Sequence, residues 1–238
     1  MGVFQQPANE RFKAKGEAGF EMMQFTSKIL GETFKRVADG IELHSEQLNA
    51  VDAKIGDGDL GVTLTRCARG VREVVPQLPE DIGAALMICV QAVTRVSGAS
   101  FATLLATALL SVAKLTKGRK AVPYSEMPEL LLAAEEAMSS RGKAGLGEKT
   151  VIDAIHAFRS SIQGLDDPQK IVAAGSRAVN EALEHFRVLP NKAGRARIWS
   201  DKSIGLDDPG MVAFRVMLDS LTEPSDTGVR TDCPEGQG

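Results

Sequence analysis

The sequence is poor in aromatic residues, and this scarcity limits the folds that it can form. Aromatic side chains make up 5% of the 238 residues, with one Trp and one Tyr, whereas Ala, Leu and Val supply most of the 43% that are apolar. This composition favours helices, because β-sandwiches and β-barrels draw on β-branched and aromatic residues. We therefore expect a helical protein with a sizeable core, in one large domain or two small ones.

Cysteine is equally scarce. Cys67, Cys89 and Cys233 are widely separated and form no CxxC pair, which argues against a disulfide framework and against a thiolate zinc site. This pattern favours a reduced, cytoplasmic compartment.

The sequence also lacks the signals of secretion or membrane attachment. The N-terminal residues contain no apolar core of a signal peptide, and Gln6 stands where a myristoylation signal needs Ser or Thr. No apolar run approaches the ~20 residues of a membrane span. The formal net charge of −3 gives no reason to expect nucleic acid or an anionic membrane as a partner. We expect a soluble protein.

Apolar residues recur at helical intervals through most of the chain. We interpret residues 1–17 as an irregular extension, residues 18–222 as one helical domain and residues 223–238 as a disordered tail. Turn signals divide the domain into helices predicted near 20–34, 45–54, 61–76, 80–96, 99–116, 126–140, 149–163, 167–187 and 209–222. No stretch alternates apolar and polar residues over enough positions to predict a strand. The predicted fold is all-α, a bundle of about eight helices in which short links make most neighbours antiparallel.

The stretch IGDGDLG, which ends at Gly61, resembles three kinds of binding loop. A dinucleotide fingerprint needs a preceding strand, but SEQLNAVDAK is predicted as a helix, and the two aspartates would repel a bare pyrophosphate. An EF-hand is excluded because Val62 and Ala68 stand where the loop needs Gly and Glu. The later stretch RGKAGLGEKT is not a P-loop, since Glu148 separates the second Gly from Lys149.

Asp52, Asp57 and Asp59 remain as the candidates for chemistry in this stretch. A glycine-rich turn can bring three carboxylates together, and Mg²⁺ prefers such oxygen ligands together with water and substrate phosphate oxygens. The alternative is that these aspartates cap the following helix. The spacing alone does not decide between the two interpretations, and one aspartate could cap while the others bind metal.

Three further stretches are candidates for binding phosphate. VSGAS, with Ala99 and Ser100, precedes a strong helix, and DDPG, which ends at Gly210, opens the last helix; such N-termini favour anions. A plain cap is the alternative in both places. The third stretch is the link of about twenty residues before DDPG. Its basic residues could contact phosphates or form a solvated surface, and a link this long is often functional. No catalytic arrangement involves the three histidines.

Together these stretches resemble the L subunit of the dihydroxyacetone kinase family. Four motifs match in order: DAKIGDGDLG, SGAS before a helix, SRGKAGLGEKTVIDA and GRARIWSDKSIGLDDPG. The resemblance covers about residues 20–222. It implies an eight-helix antiparallel, up-and-down barrel with the nucleotide site at one end.

The resemblance also implies the site residues. Asp52, Asp57 and Asp59 match the aspartates that hold two Mg²⁺ ions against the phosphates of ATP or ADP, and catalysis would depend on them. The matching nucleotide contacts are Leu60, Gly61, Val62, Thr63, Ala99, Ser100, Gly142, Val151, Arg195, Asp208, Pro209 and Gly210.

In the family, the ketose is held covalently by a His on a separate K subunit or domain. The resemblance thus implies a kinase subunit that acts with a K subunit as its partner. A second hypothesis is a relay module that keeps ADP bound and is recharged by a phosphotransferase-system protein. A third is a bundle that encloses a lipid.

The sequence departs from the family pattern at several positions. Leu60 replaces the usual His, Thr63 replaces the usual Asn, and Phe101 replaces a small residue. Residues 197–199 (RIW) stand where the family commonly has Ser, an aromatic residue and Leu. We expect these changes to affect the nucleotide contacts or the face that meets the K subunit, while the metal ligands are intact.

Overall fold

The computed structural model describes residues 23–96 and 99–222. The predicted extension at 1–17, the tail at 223–238 and two residues of the VSGAS stretch lie outside these ranges. The helices are α1 (Ser27–Leu43), α2 (Ser45–Asp52), α3 (Leu60–Val74), α4 (Ile82–Val96), α5 (Ser100–Leu115), α6 (Met127–Gly142), α7 (Val151–Ser161), α8 (Pro168–Arg187) and α9 (Pro209–Thr222).

The all-α class is confirmed. Seven of these helices form a series in which α3 to α9 each contact the next, and α1 packs against both α3 and α9, so that the last helix returns to the first. The described residues hold nine α-helices, of which α2 has only eight residues. The closed eight-helix barrel in particular stays a prediction. No helix in the described part of the chain has the length and apolarity needed to cross a membrane.

The expectation that the domain has no sheet is wrong. Strand β1 (Gln24–Thr26) pairs in antiparallel register with β2 (Ala121–Pro123), so that Phe25 lies opposite Val122. Strands of three residues are too short to show the alternation by which strands are recognised in a sequence. The pair ties the start of α1 to the link between α5 and α6.

The long link before α9 is also more regular than expected. Within it, Arg195–Ser203 form a 3₁₀ helix that is interrupted at Ser200, where φ is 41°. Arg195 is the first residue of this 3₁₀ helix.

The largest core cluster draws on α1, α2, α3, α7, α8 and α9, and it includes the fully buried side chains of Leu48, Leu64, Val179 and Met211. Close packing extends to α7, where the rings of Phe158 and Phe214 meet edge to face at 5.9 Å. Gly175 on α8 lies directly against Phe158: a Cβ atom at this position would stand 2.0 Å from two ring carbons.

We predict that Gly175→Ala lowers the free energy of unfolding by about 1–3 kcal/mol, because the methyl group forces Phe158 out of its packed position. Urea denaturation measures this. The neighbouring Ser176→Ala is the control: its hydroxyl oxygen is buried without a hydrogen-bond partner among the described residues, so its loss should not destabilise the protein. Equal stability of Gly175→Ala and the wild type would contradict the packing argument.

Candidate metal and nucleotide site

The loop between α2 and α3 folds back onto the last residue of α2. Oδ2 of Asp52 accepts hydrogen bonds from the backbone N–H groups of Gly58 (2.9 Å), Asp59 (3.1 Å) and Leu60 (3.3 Å). Gly58 has a φ of 77°, which L-residues rarely adopt, and a Cβ atom on Gly56 would stand 2.1 Å from Oδ1 of Asp52. The glycines are therefore required by the turn.

Asn49 gives the start of α3 a second cap, which the sequence analysis missed. Its Oδ1 accepts hydrogen bonds from the N–H groups of Gly61 (2.7 Å) and Val62 (3.2 Å). Gly61 packs so closely on α2 that a Cβ atom would stand 1.9 Å from the carbonyl oxygen of Ser45. Asn49 lies one turn before Asp52, and this spacing on one helix face was the available signal.

The three predicted aspartates come together. Asp52, Asp57 and Asp59 each offer a carboxylate oxygen, and these oxygens lie within 4.8 Å of one another. Asp59 occupies the N-cap position of α3, but its side chain makes no capping hydrogen bond. The capping role falls to Asp52 and Asn49 instead, so the carboxylate of Asp59 is not used as a cap.

Arg195, which is 138 positions after Asp57 in the sequence, pairs with this acidic cluster. Its Nη1 donates to Oδ2 of Asp57, and both side chains are about half exposed. The sequence predicted each residue as part of the site, but not the pair.

A cavity of about 170 Å³ opens beside the cluster, at the N-termini of α3, α5, α7 and α9 and the C-terminal end of α6. Thirteen of the fifteen predicted site residues line it: Asp52, Asp57, Asp59, Leu60, Thr63, Ala99, Ser100, Gly142, Val151, Arg195, Asp208, Pro209 and Gly210. Gly61 and Val62 do not, since their backbones face Asn49. The departures Leu60, Thr63 and Phe101 all lie on the cavity wall.

A wider, open groove of about 840 Å³ adjoins the cavity and shares Asp57, Ser100 and Arg195 with it. Arg141 and Trp199 line only the groove, as do Arg197 and Ile198. The unusual residues 197–199 therefore face the approach to the cavity.

Three of the four helix N-termini at the cavity are capped by side chains. Asp52 and Asn49 cap α3, Thr150 caps α7 through a capping box with Asp153, and Asp208 caps α9. The fourth helix, α5, follows Ala99, whose side chain cannot cap it. Among residues 23–96 and 99–222 no other side chain caps α5, and the first N–H groups of a helix lack intrahelical acceptors, so this terminus can receive an anion.

Asp208 is the most deeply buried carboxylate of the cavity wall. Oδ1 accepts a hydrogen bond from the N–H of Met211 (2.9 Å) and Oδ2 accepts one from Nδ2 of Asn191 (2.9 Å). Burial raises the pKa of Asp208 to about 6, while these hydrogen bonds and the charge of Lys149 act in the opposite direction.

Other reactive side chains are engaged elsewhere. His156 contacts Glu135, which also pairs with Arg159 between α6 and α7. Cys67 and Cys89 are buried and form no disulfide, and burial raises the pKa of both thiols, that of Cys89 to about 12.

The chain is similar to known proteins over most of its length. The profile described as DAK2 domain matches residues 54–223. The ADP-binding subunit DhaL of the PEP-dependent dihydroxyacetone kinase of Escherichia coli is 31% identical over 195 residues, which cover 78% of this chain and 91% of the relative. The L-erythrulose 1-kinase of Mycolicibacterium smegmatis is 28% identical over 197 residues, which cover 81% of this chain but 34% of the relative.

Among solved structures, the dihydroxyacetone kinase from C. freundii in complex with AMP-PNP and Mg²⁺ matches with a TM-score of 0.66 and 22% identity. The match covers 93% of this chain and 37% of that chain. The likeness shows a shared fold, and the chain spans little more than a third of that kinase.

We predict that the carboxyl group of Asp208 titrates near pH 6. The chemical shift of its carboxyl carbon, followed by NMR against pH, measures this, and the Asp208→Asn variant identifies the signal. Because its pKa in the folded state lies above the ordinary value of 3.8, Asp208 favours folding most below about pH 4. As the pH rises through about 6, this contribution to the free energy of unfolding is lost, and the loss is about 3 kcal/mol at most. The difference in unfolding free energy between wild type and Asp208→Asn should therefore shift against the wild type from pH 4 to pH 7. Titration near the ordinary value would contradict this.

Proposed function

The chain belongs to the DAK2 domain family and is of the L-subunit type found in dihydroxyacetone kinases, and we propose that it binds ADP or ATP with Mg²⁺ for phosphoryl transfer to a small ketose. The observation that carries this proposal is the meeting of three carboxylate oxygens within 4.8 Å at a cavity lined by helix N-termini. Carboxylates suit a hard cation, and helix N-termini suit phosphate.

The donor set fits Mg²⁺. Three carboxylates this close repel one another unless a cation offsets their charge, and Arg195 supplies only one positive charge. Asp52, Asp57 and Asp59 would hold two Mg²⁺ ions, which would neutralise the negative charge of the phosphates. The three N–H groups on Oδ2 of Asp52 fix the orientation of that carboxylate, as outer hydrogen bonds do at metal sites.

The protein groups around the cluster suit the rest of the nucleotide. The N-terminus of α5 at Ser100 lies on the cavity and can donate backbone N–H groups to phosphate oxygens. Arg195 can exchange its contact with Asp57 for one with phosphate. Apolar side chains of the wall, including Phe101, Leu104 and Ile152, can receive the base.

We propose that the ketose is held by a separate K subunit. The E. coli relative, of which this chain covers 91%, is named an ADP-binding subunit, which supports a division of labour between two chains. Phosphoryl transfer needs positioning and charge neutralisation more than covalent help, and the acidic cluster beside the helix N-termini supports this proposal. The similarity to L-erythrulose 1-kinase makes a tetrose a candidate acceptor besides dihydroxyacetone.

A relay is the second candidate function. Relatives matched over 90–94% of their length are named as PEP-dependent or PTS-dependent ADP-binding subunits, in E. coli, Listeria innocua and Lactococcus lactis. In that case ADP would stay bound as a cofactor, and a phosphotransferase-system protein would phosphorylate it in place.

We predict that Asp57→Ala weakens Mg²⁺-dependent ADP binding by about tenfold or more, because removal of a ligand anion from a dicationic site costs at least the ~1.4 kcal/mol that corresponds to tenfold. Calorimetry with and without Mg²⁺ measures the effect. Unchanged affinity would remove the acidic cluster from the proposed site.

Two substitutions at Asp52 separate its capping role from its metal role. Asp52→Asn keeps an oxygen for the three loop N–H groups, whereas Asp52→Ala removes it and should cost about 1–2 kcal/mol of stability without metal. Both should lose the stabilisation that Mg²⁺-ADP gives the wild type. If Asp52→Asn kept that stabilisation in full, Asp52 would be a cap alone.

We predict that the purified chain binds Mg²⁺-nucleotide but phosphorylates no dihydroxyacetone until a K subunit is added, since the acceptor is held there. A coupled assay with and without that subunit measures this, and activity of the chain alone would contradict it. Retention of bound nucleotide separates the two functions: ADP that survives dialysis supports the relay, and fast exchange with labelled ATP supports direct use of ATP.

A further inference from the structure

Lys149 is almost completely buried. Only 1% of the residue is exposed, and its φ of 61° lies in the left-handed region that residues with long side chains rarely adopt. A buried ammonium group is costly unless it is well hydrogen-bonded, and a left-handed backbone adds strain. Both costs fall on the residue just before Thr150, the cap of α7.

The ammonium group of Lys149 donates hydrogen bonds to the carbonyl oxygens of Leu189 (2.7 Å) and Ser203 (2.9 Å), and the carbonyl oxygen of Arg187 lies at 3.4 Å. These carbonyls belong to the end of α8 and the end of the 3₁₀ helix. They flank the segment that carries Arg195 to Asp57. One side chain therefore holds both ends of this segment.

The backbone of Lys149 extends the connection to α9. Its carbonyl oxygen accepts from Nδ2 of Asn191 (2.8 Å), which also donates to Oδ2 of Asp208 (2.9 Å). The N–H of Asn191 donates to Oγ of Ser203 (2.8 Å). We call Lys149, Asn191, Ser203 and Asp208 the buried brace.

The buried brace joins three parts of the cavity wall that are distant in sequence: the start of α7 at Val151, the Arg195 segment and the start of α9. Lys149 and Asn191 do not themselves line the cavity. Their contacts can reach a ligand only through the residues that they hold in place.

We propose that Lys149, with Asn191, is a positioning residue that holds Arg195 and the N-terminus of α9 on the nucleotide cavity. This inference rests on the proposed binding of Mg²⁺-nucleotide. It differs from a purely structural role, because a structural lysine would lower global stability without a selective effect on the segment 188–208 or on Arg195.

The test compares wild type with Lys149→Met, which keeps the apolar length of the side chain and removes the donors. We expect hydrogen exchange to become faster in residues 188–208 of the free protein. We also expect the affinity for Mg²⁺-ADP to fall by about tenfold, the order expected when charge-assisted hydrogen bonds are lost. Glu135→Gln is the matched control, since it removes the negative charge that pairs with Arg159 and contacts His156, about 10 Å along α6 from Gly142.

A double-mutant cycle with Arg195→Ala separates positioning from stability. If Lys149 acts through Arg195, the double variant should bind Mg²⁺-ADP more tightly than the product of the two single losses predicts. Additive losses, unchanged exchange in 188–208, or an equal loss of affinity in Glu135→Gln would each overturn the proposal.

Asn191→Ala keeps the proposal testable if Lys149→Met fails to fold. It removes the amide between Lys149 and Asp208, and the same exchange and affinity measurements then decide. If wild type bound no Mg²⁺-nucleotide, the proposed function would fail. The exchange experiment on the free protein would still show whether the buried brace holds the segment, so the two failures remain distinct.

Discussion

The site depends on the convergence of three backbone N–H groups on one carboxylate oxygen of Asp52. This contact ends α2, turns the chain through the glycines and starts α3 with a cap supplied by the preceding helix. The same turn brings Asp57 and Asp59 to the side of Asp52. Capping and the gathering of carboxylates are thus two results of one interaction. Asp52 makes the capping hydrogen bonds, whereas the side chain of Asp59 makes none.

The electrostatics of the cavity follow from how the helix ends are satisfied. Side chains already accept from the N–H groups of α3, α7 and α9, whereas no side chain in the described part of the chain caps α5, so the partial positive charge of α5 can attract an anion. The acidic cluster lies beside it. An acidic cluster and a helix N-terminus therefore lie side by side at one small cavity, which is the arrangement that the proposed metal–phosphate complex needs.

The sequence predicted the helices and the family well, because strong apolar periodicity and turn residues mark both ends of segments such as Pro168–Arg187 and Pro209–Thr222. The family resemblance is confirmed, since the DAK2 profile covers residues 54–223. The ion pair of Asp57 and Arg195 was not predictable, because it joins residues 138 positions apart. Asn49 and Lys149 were missed because their roles lie in contacts with backbone groups. Only Asn49 left a signal in the sequence, its position one turn before Asp52.

The cavity is assembled from the starts of α3, α5, α7 and α9, which are spread along the chain from Leu60 to Pro209. Each of these helices packs against its neighbours in the series. A fragment that lacks one of them therefore lacks part of the cavity wall. A ligand that touches several of these ends at once couples its own occupancy to the integrity of the whole fold.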